Sequence, residues 1–213
     1  QASALLKINL VTTFIGRNKN LNITDNLELA GNVWKPILEY AESLNVKIAI
    51  ENCPMLFTED EWPGGKNIAV SPAIWRELFK RLPSEYLGLN FDPSHFIWQE
   101  MDYIRPLYEF KDKIFHVHYK DIRVDKEARN EVGVLATPLS YMVPCIPGHG
   151  DVNWARYISA LLEIGYQGAA CIEVEDKSFE DNNENIENSL KISRQYLKQF
   201  IHFPEKGRQY AKD

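Results

Sequence analysis

Cysteine is scarce: Cys53, Cys145 and Cys171 are the only three in 213 residues, an odd number, widely spaced and without a CxxC pair. That argues against a disulfide framework and against a zinc site built on paired thiolates, and it makes a reducing, cytoplasmic setting the expectation. Long apolar runs are missing as well. No stretch approaches the roughly 20 residues that a membrane-spanning helix requires. Positive charge is in deficit, with 24 Lys and Arg against 30 Asp and Glu and a formal charge of −6, so the surface as a whole does not attract nucleic acid. The first residues, Gln1-Ala2-Ser3, have neither an initiator Met nor the basic-then-apolar order of a signal peptide. What remains is ordinary globular composition, 45% hydrophobic with 11 Gly and 11 Pro, which fits one domain over residues 1–213.

Six short β-rich segments recur along the chain: Lys7–Phe14, Val46–Glu51, Leu87–Asp92, Ile114–His118, Tyr141–Ile146 and Ala169–Val174. Most are continuously apolar rather than alternating, the pattern of parallel strands covered on both faces. Tyr141–Ile146 fits least well, because Pro144 removes a ladder donor. Helical stripes lie between them. Leu27, Ala30, Trp34, Leu38 and Ala41 repeat at three and four, with Pro36 as a possible kink. Ser71-Pro72 reads as an N-cap followed by Pro at the first helical position. Trp154–Leu162 ends before a C-cap at Gly165, a long last helix surrounds Leu190, and Asp102–Asp112 is a shorter candidate. Strand–helix alternation of this kind predicts a parallel α/β domain.

Polar residues gather at the ends of the predicted strands. Glu51 closes IAIE, Asp92 closes LGLNFD with His95 behind it, and His116 and His118 close IFHVH. Pro147-Gly148-His149-Gly150 follows YMVPCI, and Glu173 lies in CIEVED. An open sheet would scatter these ends, whereas a barrel gathers its C-terminal strand ends at one mouth. Two Glu, one Asp and one His meeting there would repel one another unless a cation sat among them. Oxygen donors with one imidazole favour Mn²⁺, with Mg²⁺, Co²⁺ and Zn²⁺ also compatible.

IAIENCP, GLNFDPSH, HVHYKD, PGHGDVNW and GYQGAACIEVED, in that order, resemble the xylose isomerase-like TIM-barrel superfamily, most closely its sugar or sugar-phosphate isomerases and epimerases. The segment WPGGKNIAVSPAIWRELF adds to the likeness, which runs from about Ile8 to Phe200. The resemblance implies a (β/α)8 barrel. It also implies that Glu51, Asp92, His118 and Glu173 bind one divalent metal, that Glu51 and Glu173 act as acid and base, and that His95 contacts a substrate hydroxyl. A metal chelating a carbonyl and its neighbouring hydroxyl would stabilise the enediolate formed when the intervening proton leaves. Lys120, His149 and Trp62 are further candidates for substrate contact, with Phe57 and Trp98 beside Trp62 as an apolar wall.

Each candidate also has a plainer reading. His116 serves equally well as a buried, hydrogen-bonded core residue. Lys120 and Asp121 fit a solvated loop, the glycines around His149 fit turn geometry, and Arg17 and Glu175 fit a charged surface. His202, in the tail, carries no argument.

An eight-stranded barrel runs to about 250 residues. Because KINLVTTFIG matches the third strand of the family pattern, the first two β/α units are expected to be absent. The chain then reads as the C-terminal three-quarters of a longer protein, its sheet edges covered by a partner chain, a segment swapped within a homo-oligomer or strands outside this sequence. Three alternatives remain. A keto-sugar lyase or hydratase would use the same site. An apurinic endonuclease would need three metals and an Asp-x-His pair, which the sequence lacks. An inactive fragment is the third alternative.

Overall fold

The computed structural model describes residues 1–56 and 64–201. Phe57 and Trp62, named above as pocket residues, and His202 lie outside the described residues.

A short helix α1 (Ala2–Leu5) leads into β1 (Leu10–Thr13), followed by α2 (Ile23–Ser43) and β2 (Lys47–Glu51). Next come α3 (Pro72–Arg81), β3 (Leu87–Phe91), the single-turn α4 (Ser94–Ile97), α5 (Arg105–Glu109) and β4 (Ile114–Tyr119). The chain continues through β5 (Asp121–Val124), α6 (Lys126–Val132), β6 (Met142–Cys145), α7 (Trp154–Glu163), β7 (Ala169–Ile172) and α8 (Asn183–Leu197). Five strands form one parallel sheet in the order β1-β2-β3-β4-β7. It is the wall of a TIM barrel, open between β1 and β7 among the described residues.

The expected sixth stave is not one. Met142–Cys145 pairs antiparallel with Asp121–Val124 in a separate two-stranded ribbon above the wall, and β7 takes the place beside β4. Pro144 faces Ile122 in that ribbon, where an edge position tolerates the missing N–H. The predicted helices all form. α2 continues through Pro36 as one helix, capped by Asn22, whose side chain accepts from the Asp25 N–H at 2.9 Å.

Alternation along the strands sorts the two faces. Ile48, Ile50, Leu87, Leu89, Phe91 and Val117 pack outward against helices in the main core. Trp75 of α3 anchors that layer, with Phe91, Phe96 and Phe110 edge-on to it at 5.3–5.9 Å. Each such buried ring contributes about 1.5–3 kcal/mol. The inner face carries Glu51, Asn90, His116 and His118 instead. A register shift between Leu89 and Asn90 leaves Phe115 without a partner, since Leu89 pairs with Ile114 and Asn90 with His116. This bulge sets His116 and His118 in step with Asn90. The displaced Phe115 ring occupies the space above Gly88, where an added Cβ would lie 2.4 Å from the Lys113 carbonyl and 2.5 Å from the ring.

Candidate metal centre and pocket

Four inner-face side chains converge where the strands end. Glu51 is the last residue of β2, Asp92 follows β3, His118 lies near the end of β4 and Glu173 follows β7. One donor atom from each lies within 4.8 Å of all the others. His118 Nδ1 is 2.7 Å from Glu173 Oε2 and 3.4 Å from Glu51 Oε1. His95, on α4, brings Nε2 to 3.3 Å from Asp92 Oδ2 and 3.9 Å from Glu51 Oε1.

Amides that the sequence did not advertise hold these ends together. Asn52 Nδ2 donates to the Asp92 carbonyl at 2.9 Å, and the Asp92 N–H donates to Asn52 Oδ1 at 2.8 Å, so β2 and β3 are clamped directly behind the cluster. Asn67 Nδ2 donates to the carbonyls of Glu51 and Cys53 at 2.8 and 2.7 Å. Below the cluster, His116 Nδ1 and Asn90 Oδ1 are 2.8 Å apart, and Asn90 Nδ2 lies 3.0 Å from His118 Nε2. Burial and the neighbouring His118 push His116 below the usual histidine range. It is therefore a neutral, hydrogen-bonded residue, half-buried and not part of the buried core.

The electrostatics of the cluster are those of crowded carboxylates. Burial alone would raise Asp92, but the charge of His95 beside it holds it at about 2. Burial disfavours a charged His118, yet contact with Glu173 and Glu51 raises it to about 10. Burial likewise opposes charge on Lys120, and Asp92, Glu173 and Glu175 outweigh it. Lys120 is no solvated loop residue: it is 3% exposed, with Nζ 3.1 Å from Glu173 Oε1 and paired also with Glu175.

Four buried polar atoms, Asp92 Oδ2, His95 Nε2, His118 Nδ1 and Glu173 Oε2, complete no hydrogen bond of good geometry. His118 Nδ1 and Glu173 Oε2 are within ion-pair distance without the alignment of a hydrogen bond, so charge accounts for their attraction. Three carboxylates, one imidazole and orphaned atoms facing a common point are a donor set that fits a hard or borderline divalent cation.

Glu51 and Glu173 of the cluster, with His95, line a cavity of about 350 Å³, walled by Met55, Leu56, Trp98, Ile122 and Met142, and lined also by Lys120 and Glu175. His149 is not part of that lining. It is exposed, and its ring rests 6.2 Å from Phe179. Asp121 is also displaced from the expected role, being fully buried. It accepts from the N–H groups of Gly148 and Val152 and from Trp154 Nε1 at 2.8–3.0 Å, which ties down the loop after β6.

Residues 1–198 match the family described as xylose isomerase-like TIM barrel. The chain belongs to that family. An uncharacterised Bacillus subtilis (strain 168) protein, YfiH, is 30% identical over 180 residues, covering 79% of this chain and 51% of its own. An inosose dehydratase of Lactiplantibacillus plantarum (strain ATCC BAA-793 / NCIMB 8826 / WCFS1) is 27% identical over 117 residues, 54% of this chain and 38% of its own. Among solved structures, that of the IOLI protein with a binding zinc atom overlays with a TM-score of 0.70 at 19% identity. The overlay covers 94% of this chain and 67% of that one. This family member thus spans about half the length, or less, of the curated relatives it matches. No described helix is long and apolar enough to cross a membrane.

Proposed function

We propose that this site removes a proton from the carbon beside a carbonyl in a keto-sugar or keto-polyol, with or without a phosphate, and that the protein is an isomerase or epimerase. The observation that carries the reading is the convergence of Glu51, Asp92, His118 and Glu173, of which Glu51 and Glu173 line a cavity. These four would hold one divalent cation, with Mn²⁺ the favoured species and Zn²⁺ compatible. When bound, it supplies positive charge where a carbonyl oxygen becomes anionic.

The chain's own residues do the rest. Glu51 and Glu173 enter from β2 and β7, on opposite sides of the cluster, so one takes the proton and the other returns it from the opposite face. Burial would raise Glu173, but contact with His118 and then the charge of Lys120 hold that carboxylate below its ordinary range, ionised and ready to accept. His95 faces the hydroxyl next to the reacting carbon, and Trp98 with Leu56 excludes water. Replacing either acid, Glu51→Gln or Glu173→Gln, is expected to lower turnover of a responsive ketose by about 10²- to 10⁴-fold. Normal metal binding and normal turnover in both variants would sink the mechanism.

A second reading keeps the first step and changes the outcome. The relationship to inosose dehydratases favours elimination of a β-hydroxyl instead of return of the proton. Buried Lys120 would then protonate the leaving oxygen. Solvent deuterium incorporated into recovered substrate, without loss of water, supports the first reading. Release of an unsaturated or deoxy product supports the second.

A further inference from the structure

Glu51 belongs to a second convergent group. A donor atom of Cys53 and one of His95 lie with one of Glu51 inside the same 4.8 Å limit, on the cavity side of the four-donor cluster. The placement follows from the backbone. Residues 51 and 53 are two apart on an extended segment and so share a face, and the Asn67 amide binds both of their carbonyls. His95 closes the group from α4. It is only 6% exposed, and its Nε2 lies at ion-pair distance from Asp92 Oδ2 and Glu51 Oε1 without completing an aligned hydrogen bond. A cation among these donors would engage that nitrogen together with a thiolate and a carboxylate.

We infer that Cys53, His95 and Glu51 form an accessory site for a thiophilic divalent cation of the Zn²⁺ class, with Glu51 as the carboxylate shared between this ion and the ion of the four-donor group. One sulfur, one nitrogen and one oxygen are ordinary zinc donors, and atoms on a four-coordinate zinc stand about 3.5 Å apart, within reach of small side-chain rotations here. As the metal–sulfur and metal–nitrogen bonds form, the Cys53 thiol proton and the His95 imidazolium proton leave to solvent and no electron is transferred. The fourth position faces the cavity. An ion there occupies the space beside His95 in which a substrate hydroxyl would sit, so zinc in excess of one equivalent acts as a competitor of substrate.

Co²⁺ reports on this directly, because thiolate ligation gives a sulfur-to-cobalt charge-transfer band that oxygen and nitrogen donors do not. Protein first loaded with one equivalent of Mn²⁺ is titrated with Co²⁺ while Mn²⁺ is followed by paramagnetic resonance. The expected result is one further equivalent bound, with the band rising in step and the Mn²⁺ retained. Cys53→Ser and Cys53→Ala should each lose the band and the second equivalent while still binding Mn²⁺, which also shows that they fold. Absence of the band at saturating Co²⁺ overturns the inference. So does a band unchanged in both variants, which would belong to another cysteine, or a band that appears only as Mn²⁺ is displaced. Retention of Mn²⁺ is read independently, so failure here leaves the four-donor group untouched, and failure of that group is seen as loss of Mn²⁺ alone.

Discussion

Three carboxylates packed at one point need balancing charge, and in the absence of a metal ion His118, His95 and Lys120 provide it. His118 is held protonated up to about pH 10 by Glu173 and Glu51. Because its folded-state value lies above the ordinary 6.5, the imidazolium stabilises the metal-free fold in full below about that pH. The contribution then fades as pH climbs toward 10. Binding of a cation must expel this proton. We therefore expect Mn²⁺ binding at neutral pH to release about one proton per ion and to tighten as pH rises, measured by calorimetry in buffers of different ionisation enthalpy. Melting temperature in chelator should decline between pH 6.5 and 10, whereas the Mn²⁺-loaded protein should lose that decline. Uptake of metal without proton release would mean that His118 is not a ligand.

Elements place these residues by devices of different legibility. The strand ends were readable, because ligand-type side chains closing apolar runs give a signal that survives without coordinates. Asn52, Asn67 and Asn90 were not, since an amide has no reactive signature and its partners are backbone or imidazole atoms 14 to 40 residues away. The pairing of Met142–Cys145 was equally hidden. A short apolar run reads the same whether its partner is parallel or antiparallel, and only Pro144 hinted that the segment stood outside the sheet. The Phe115 bulge leaves its trace at Gly88, where any side chain meets a backbone carbonyl and an aromatic ring. Gly88→Ala is expected to cost about 1–3 kcal/mol, seen as a lower urea midpoint. It should also weaken metal binding, because the shift must pass into the Asn90–His116 register. A variant of wild-type stability would show that the crowding at Gly88 is relieved without cost.

At the scale of the whole molecule, the wall is open. β1 and β7 each pair on one side only among the described residues, and β7 is largely exposed. Along the outer face of β1, Val11, Trp34, Ile37 and Tyr40 line an apolar groove of about 310 Å³, and α1 leaves Leu5 and Leu6 84% and 69% exposed. Unpaired strand edges beside apolar surface invite pairing with another chain. The 213-residue chain is expected to associate reversibly in a concentration-dependent way, detectable by light scattering after size exclusion. A charge on the groove, Ile37→Lys, should shift it toward monomer. A strictly monomeric chain at high concentration would mean that edge and groove are protected by other means.

The run from His116 through Asn90 to His118 forms a linkage one layer beneath the cluster. As the metal-free imidazolium, His118 already carries a proton on Nε2, 3.0 Å from the Asn90 amide, which meets it by offering its oxygen to His118 and its amino group to Nδ1 of neutral His116. An ion on His118 Nδ1 displaces only the Nδ1 proton and leaves Nε2–H in place. The layer under the mouth is thus oriented before any cation arrives, and its nitrogen chemical shifts should stay still while those of the His118 Nδ1 side move.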